Sequence, residues 1–227
     1  MKKVAILSAG PGLPEIVEKY GHSSEWIPLA LSSYDIEFDI MKVYENDFSP
    51  ILNYDAFIIT GSKYSVYDQI DWIISLKKYI HEIVSLKMPV LGICFGHQIL
   101  AESLGGKVVK NIHGWELGSY KIKLTRDGKQ SPLFKNILND DIFYESHQDV
   151  VSELPAGSVQ LAFTEKGNQS FVYNDYIYGV QFHPEFTWEV TRKLMDLRIK
   201  KGISVDSNIL SKSKSGKIIL SNFIDLI

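Results

Sequence analysis

A lone cysteine, Cys94, stands in Gly92-Ile93-Cys94-Phe95-Gly96, directly after the apolar pair Val90-Leu91. That pattern suits a nucleophile elbow, the strained turn that carries a strand into a helix. The glycines fit because the turn crowds its own backbone, and a Cβ at either flank would clash. Such a turn pushes the sulfur out at the carboxyl end of a sheet and aims it at a helix N-terminus, where unpaired N–H groups and the helix dipole favour negative charge. A partner stands far along the chain, in Gly179-Val180-Gln181-Phe182-His183-Pro184-Glu185. A short apolar strand over Ile177 to Phe182 ends there, and the proline biases His183 to an extended backbone. His183 can then take the proton of Cys94 while Glu185 orients the imidazole, the nucleophile, base and orienter of a triad. A cysteine alone is more often a small buried hydrophobe, and His-x-Glu alone is more often a surface loop. The two motifs together reverse that reading.

These two motifs resemble the class I (triad) glutamine amidotransferase family, and the similarity runs from about Val4 to Leu197. Within the family the arrangement is similar to the amidotransferase domain of guanosine monophosphate synthetase and to stand-alone relatives that include plant γ-glutamyl peptidases acting on glutathione conjugates. Gly114-Trp115-Glu116-Leu117-Gly118 and Tyr20-Gly21-His22-Ser23-Ser24-Glu25-Trp26 resemble stretches of the stand-alone relatives. The resemblance implies a γ-glutamyl thioester on Cys94 and an oxyanion hole made of backbone N–H groups. Phe95, as the residue after the nucleophile, supplies one N–H, and the resemblance places the other at Gly61. The family usually has Gly-Gly there, whereas this chain has Gly61-Ser62-Lys63. The resemblance also makes Gln98 a contact to substrate glutamine. Tyr144-Glu145-Ser146-His147-Gln148-Asp149 resembles the loop that holds the glutamine carboxylate and amine, with His147 and Gln148 as candidates and Glu145 and Asp149 as solvated neighbours. Tyr64 and Tyr67 either wall the pocket or pack.

The elements that must position these groups alternate between strand and helix, which argues for a parallel sheet covered on both faces. Strands are expected at Val4 to Leu7, Ile36 to Val43, Ala56 to Thr60 and Val90 to Ile93. Helices are expected over Glu25 to Ser33, after a cap at Asp71, and over His97 to Leu104. Short strands with turn signals follow, at 107–110, 119–124, 142–146, 161–164, 171–173 and 177–182. Thr125-Arg126-Asp127-Gly128 and Lys166-Gly167-Asn168 read as turns between them. Thr187 caps a helix to about Lys200. The fold expected is therefore α/β, a mostly parallel central sheet flanked by helices with a small antiparallel extension, and by resemblance flavodoxin-like. One domain is expected over 1–227.

Composition narrows the function classes. Hydrophobic residues make up 45% and the formal net charge is −3, so charge alone recruits neither nucleic acid nor an anionic membrane. One cysteine excludes an internal disulfide, and a reactive thiol suits a reducing compartment. No apolar run approaches the roughly 18 residues of a membrane span, and a cytoplasmic location is expected. No phosphate-cradling glycine loop occurs, and no His, Cys and carboxylate set has metal spacing. The expectation is an enzyme without cofactor, acting on a small-molecule substrate. Hydrolysis of the γ-amide of glutamine or of a γ-glutamyl compound is the leading reading. The alternatives are an ammonia-supplying glutaminase subunit with a separate synthetase as partner, and a catalytically silent binding module.

Overall fold

The computed structural model describes residues 1–204 and 210–227. Its first half alternates β1 (Lys2–Leu7), α1 (Pro14–Tyr20), α2 (Ser23–Ala30), β2 (Ile36–Met41), β3 (Ala56–Ile59), α3 (Asp71–Ser85), β4 (Val90–Ile93) and α4 (Phe95–Ser103). Strands dominate the next stretch: β5 (Lys107–Lys110), β6 (Glu116–Lys121), β7 (Lys123–Leu124), the short α5 (Arg126–Gln130), β8 (Ile142–His147), β9 (Asp149–Glu153), β10 (Val159–Thr164), β11 (Gly167–Tyr173) and β12 (Ile177–Val180). Two helices follow, α6 (Trp188–Lys200) and α7 (Ser215–Asp225). Of the tail after Lys200, residues 205–209 lie outside the described residues.

Eight strands form one sheet in the order β2-β1-β3-β4-β12-β11-β10-β7. The run from β2 to β12 is parallel, and β11, β10 and β7 continue it antiparallel. The pairs β5–β9 and β6–β8 make two small antiparallel sheets. The expected α/β class, with its parallel sheet and antiparallel extension, is thus present. Every residue of β3, β4 and β12 is buried, as continuous apolar runs in a doubly covered sheet should be. Successive side chains leave opposite faces. Leu7, Phe57 and Ile59 pack under Ile73, Leu76, Ile80 and Ile83 of α3. Val4, Ile6, Ile58 and Leu91 pack with Ile27 of α2 and with Ile219, Leu220 and Phe223 of α7.

Several local expectations need correction. Asp71 is not a cap: Ile70 holds that position with no side-chain hydrogen bond, and Asp71 sits in the first turn facing the helix dipole. Thr125 to Gly128 is no simple turn, because Thr125 Oγ1 accepts the Gly128 N–H at 2.9 Å and starts α5. The expected helix over Glu25 to Ser33 is α2, shifted toward the N-terminus, and α1 before it is an element the sequence pattern did not single out. α1 buries only Ile16, so it carries little apolar periodicity.

Candidate active site

Cys94 ends β4 with φ 52° and ψ −101°, a backbone conformation that side chains rarely adopt and that costs about 1–3 kcal/mol. Packing holds it there. A Cβ on Gly92 would run into the Gly96 carbonyl, and one on Gly96 would run into the Ile59 carbonyl. The elbow therefore closes on itself and on β3 only with glycine at both flanks. The Cys94 N–H donates to the Val180 carbonyl at 2.9 Å, which ties the elbow to β12. Phe95 opens α4, so its N–H has no acceptor inside the helix.

β12 then delivers His183. Its backbone N–H donates to the Tyr144 carbonyl of β8 at 2.8 Å, and its Nδ1 lies 2.8 Å from Glu185 Oε1. Phe186 stacks on the imidazole at 3.8 Å between centroids and 13° between planes. Burial by itself would push the imidazole down. The negative charges of Glu185 and Cys94 outweigh it and raise His183 from 6.5 to about 10. Gly61 lies against both groups: a Cβ there would meet His183 Cε1 at 2.8 Å and Cys94 Cβ at 3.6 Å. Cys94, His183, Glu185, Gly61 and Phe95 are thus brought together from β4, α4, β12 and the end of β3.

A cavity of about 110 Å³ opens beside them, lined by Gly61, Ser62, Lys63, Ser146, His183 and Glu185. It lies outside the carboxyl ends of parallel strands, where open α/β sheets bind ligands. Its far wall comes from the excursion between β1 and β2 and from α6. His22 pins that excursion. Its Nε2 lies 2.8 Å from the Gly10 carbonyl and its Nδ1 accepts the Ser24 N–H at 3.2 Å. Trp26 meets Phe186 edge-on at 5.7 Å. His22, Ser146, Phe186 and Arg198 were not singled out from the sequence for this site. Only a three-dimensional neighbourhood distinguishes them from ordinary packing and surface residues.

The remaining candidates lie elsewhere. Gln98 is buried, and its Nε2 donates to the Asp149 carbonyl and to Gln181 Oε1, both at 3.0 Å. His147 does not line the cavity; nor does Gln148, whose carbonyl accepts the Asn111 N–H at 2.9 Å. His147 Nε2 lies 3.3 Å from Glu116 Oε2 and 3.1 Å from Glu145 Oε2, all three side chains being buried. Glu145 is therefore not solvated. Burial raises it to about 7 against the pull of His147, while the two carboxylates overcome burial to hold His147 well above 6.5. Tyr64 packs edge-on against Trp72, and Tyr67 donates to Asp149 Oδ1 at 3.2 Å, so neither walls the cavity. Among the described residues no cluster of His, Cys, Asp and Glu has metal-holding geometry. None of the described helices is long and apolar enough to cross a membrane.

The family model for glutamine amidotransferase class-I matches residues 15–197. The chain belongs to the class-I glutamine amidotransferase family. Gamma-glutamyl peptidase 2 of Arabidopsis thaliana is 29% identical over 219 residues, which is 94% of this chain and 88% of that protein. Gamma-glutamyl peptidase 5 of the same plant is 32% identical over 70% of this chain and 66% of its own length. A GMP synthase [glutamine-hydrolyzing] of Clostridium novyi is 42% identical over 59% of this chain, a stretch that spans 25% of that longer protein. A glutamine amidotransferase of Thermotoga maritima shares the fold, with TM-score 0.77 at 24% identity over 98% of this chain and 97% of that one.

Proposed function

We propose that this family member hydrolyses the γ-amide of glutamine or of a γ-glutamyl compound through a thioester on Cys94. One observation carries the reading: the strained Cys94 lies beside a His183 held 2.8 Å from Glu185, with Gly61 packed against both. Cys94 Sγ, its proton resting on His183, attacks the amide carbon. The carbonyl electron pair moves to oxygen, where the N–H groups of Phe95 and Gly61 meet the charge. Collapse breaks the C–N bond, and His183 gives its proton to the departing ammonia or amine. Neutral His183 then takes a proton from water, which attacks the thioester carbon. Glutamate leaves, and the cysteine is regenerated. The similarity to gamma-glutamyl peptidases over most of the chain supports an enzyme that works without a partner, and its reactive thiol suits the reducing cytoplasm. The likeness to the GMP synthase supports a second reading, an ammonia source for a separate synthetase.

The test is steady-state glutamate release by the chain alone, offered glutamine and γ-glutamyl dipeptides, with Cys94→Ser as blank. Turnover of a γ-glutamyl dipeptide sinks the ammonia-supply reading. Turnover of neither sinks the stand-alone hydrolase and leaves the synthetase-dependent one.

A further inference from the structure

The cavity has an unusual division of character. On one side Leu13, Ile16, Val17, Trp26, Phe186 and Leu194 present apolar surface. Part of that surface belongs to a small core of its own, in which Ile16 packs with Val190 and Leu194 and joins α1 to α6, apart from the two cores on the sheet. Into the same cavity, one turn beyond Leu194, reaches Arg198. Its guanidinium lies 4.8 Å from the centre of the Trp115 ring, a contact that holds a cation flat and in place. Its Nε is buried and makes no hydrogen bond among the described residues. No ion pair joins it to a described carboxylate, although eight other pairs of a basic residue with a carboxylate are formed among the described residues. Burial lowers its pKa below the usual guanidinium range, and Cys94 is the one described group whose charge raises it.

A planar fork of donors at the edge of an apolar cavity, beside the reacting groups, is the chemistry that recognises a carboxylate with two parallel hydrogen bonds. We infer that Arg198 is a specificity-determining residue that pairs with a carboxylate of the substrate, while the wall of α1, Trp26 and Leu194 takes an apolar portion beside it. This rests on the hydrolase reading and deepens it. A γ-glutamyl compound can bring that carboxylate from two sources, the α-carboxylate of its glutamyl part or the carboxylate of an amino acid on the leaving amine. Glutamine carries only the first.

Kinetics on three substrates separate these sources: glutamine, γ-glutamyl-alanine and γ-glutamyl-alaninamide, with the native protein, Arg198→Gln and Arg198→Lys. A charge-assisted pair lost at this depth raises KM about tenfold or more, with kcat little changed. A rise confined to γ-glutamyl-alanine assigns Arg198 to the leaving amine's carboxylate. An equal rise on all three assigns it to the α-carboxylate. Either supports the inference, and Arg198→Lys, which keeps a cation over Trp115, should recover part of the loss. Unchanged KM on every substrate in both variants overturns it, as does an equal fall in kcat with KM constant. If the native chain turns over nothing, the hydrolase reading fails separately. Calorimetric titration of Cys94→Ser with γ-glutamyl-alanine then decides: binding weakened by Arg198→Gln sustains the pairing, and equal binding or none overturns it.

Discussion

Gly61 and His183 are in contact through a space that only hydrogen can fill, since a Cβ on Gly61 would sit 2.8 Å from His183 Cε1. That separation is closer than real Cβ contacts reach, so a side chain at 61 must displace either the imidazole or the loop. Gly61→Ala should therefore leave the fold intact and lower kcat by about a hundredfold, the scale of a lost oxyanion donor. Circular dichroism and glutamate release measured on one preparation check it. Full activity in a folded Gly61→Ala would sink the proposed role of this loop.

The charge of Glu185 raises His183 toward 10, so the imidazolium should persist through neutral pH and give up its proton only in alkali. Activity in the native protein is expected to hold into the alkaline range and to fall near pH 10. Glu185→Gln removes the largest raising influence, so its alkaline limb should move toward neutral pH as kcat drops. The stability sign follows the same shift. A raised imidazole contributes fully below 6.5, and that contribution is lost as pH rises through about 10. Paired pH profiles of kcat/KM and of unfolding midpoints read both effects.

Backbone strain at Cys94 can be separated from thiol chemistry. Cys94→Ala and Cys94→Gly both remove the sulfur and should both be inactive. Only glycine takes φ 52° and ψ −101° without steric cost. Cys94→Gly should accordingly be the more stable of the two by about 1 kcal/mol. Urea unfolding would reveal it, and equal midpoints would remove the strain from this account.

His97 offers a test in acid. It is fully buried against Phe171, and burial lowers it from 6.5 to about 3. Above 6.5 it is neutral whether folded or not. Below that only the unfolded chain takes the proton, so stability falls as the pH drops toward 3. At pH 5 the loss is on the order of 2 kcal/mol. His97→Phe should lose less stability between pH 7 and pH 5 than the native protein does, whatever it costs at pH 7.

Gly92 to Gly96 and His183 to Glu185 were legible in sequence because each motif is local: close glycines and a proline report backbone geometry directly. The parallel strands were legible for a similar reason, as short apolar runs bounded by turn residues. The walls of the cavity were not. Ser146, Phe186 and Arg198 stand on three different elements, and nothing in their own neighbourhoods says that α6 packs against α1. The loop from 144 to 149 misled in the opposite direction. Its acids read as solvated and its histidine as a substrate contact, yet β8 pairs with β6 and places Glu145 and His147 against Glu116 in the interior. A polar string cannot disclose a buried charge cluster until its pairing strand is known.

The small core that joins α1 to α6 stands apart from the two cores on the sheet. Its consequence concerns how such a protein changes over generations. The reacting groups rest on a scaffold where almost any substitution is punished, whereas the recognising wall rests on a satellite that can be rebuilt with little effect on the folding of the rest. On the proposed hydrolase reading, descendants can therefore exchange one γ-glutamyl substrate for another by altering the stretch from Gly10 to Trp26 together with one face of α6. The inherited chemistry stays as it is.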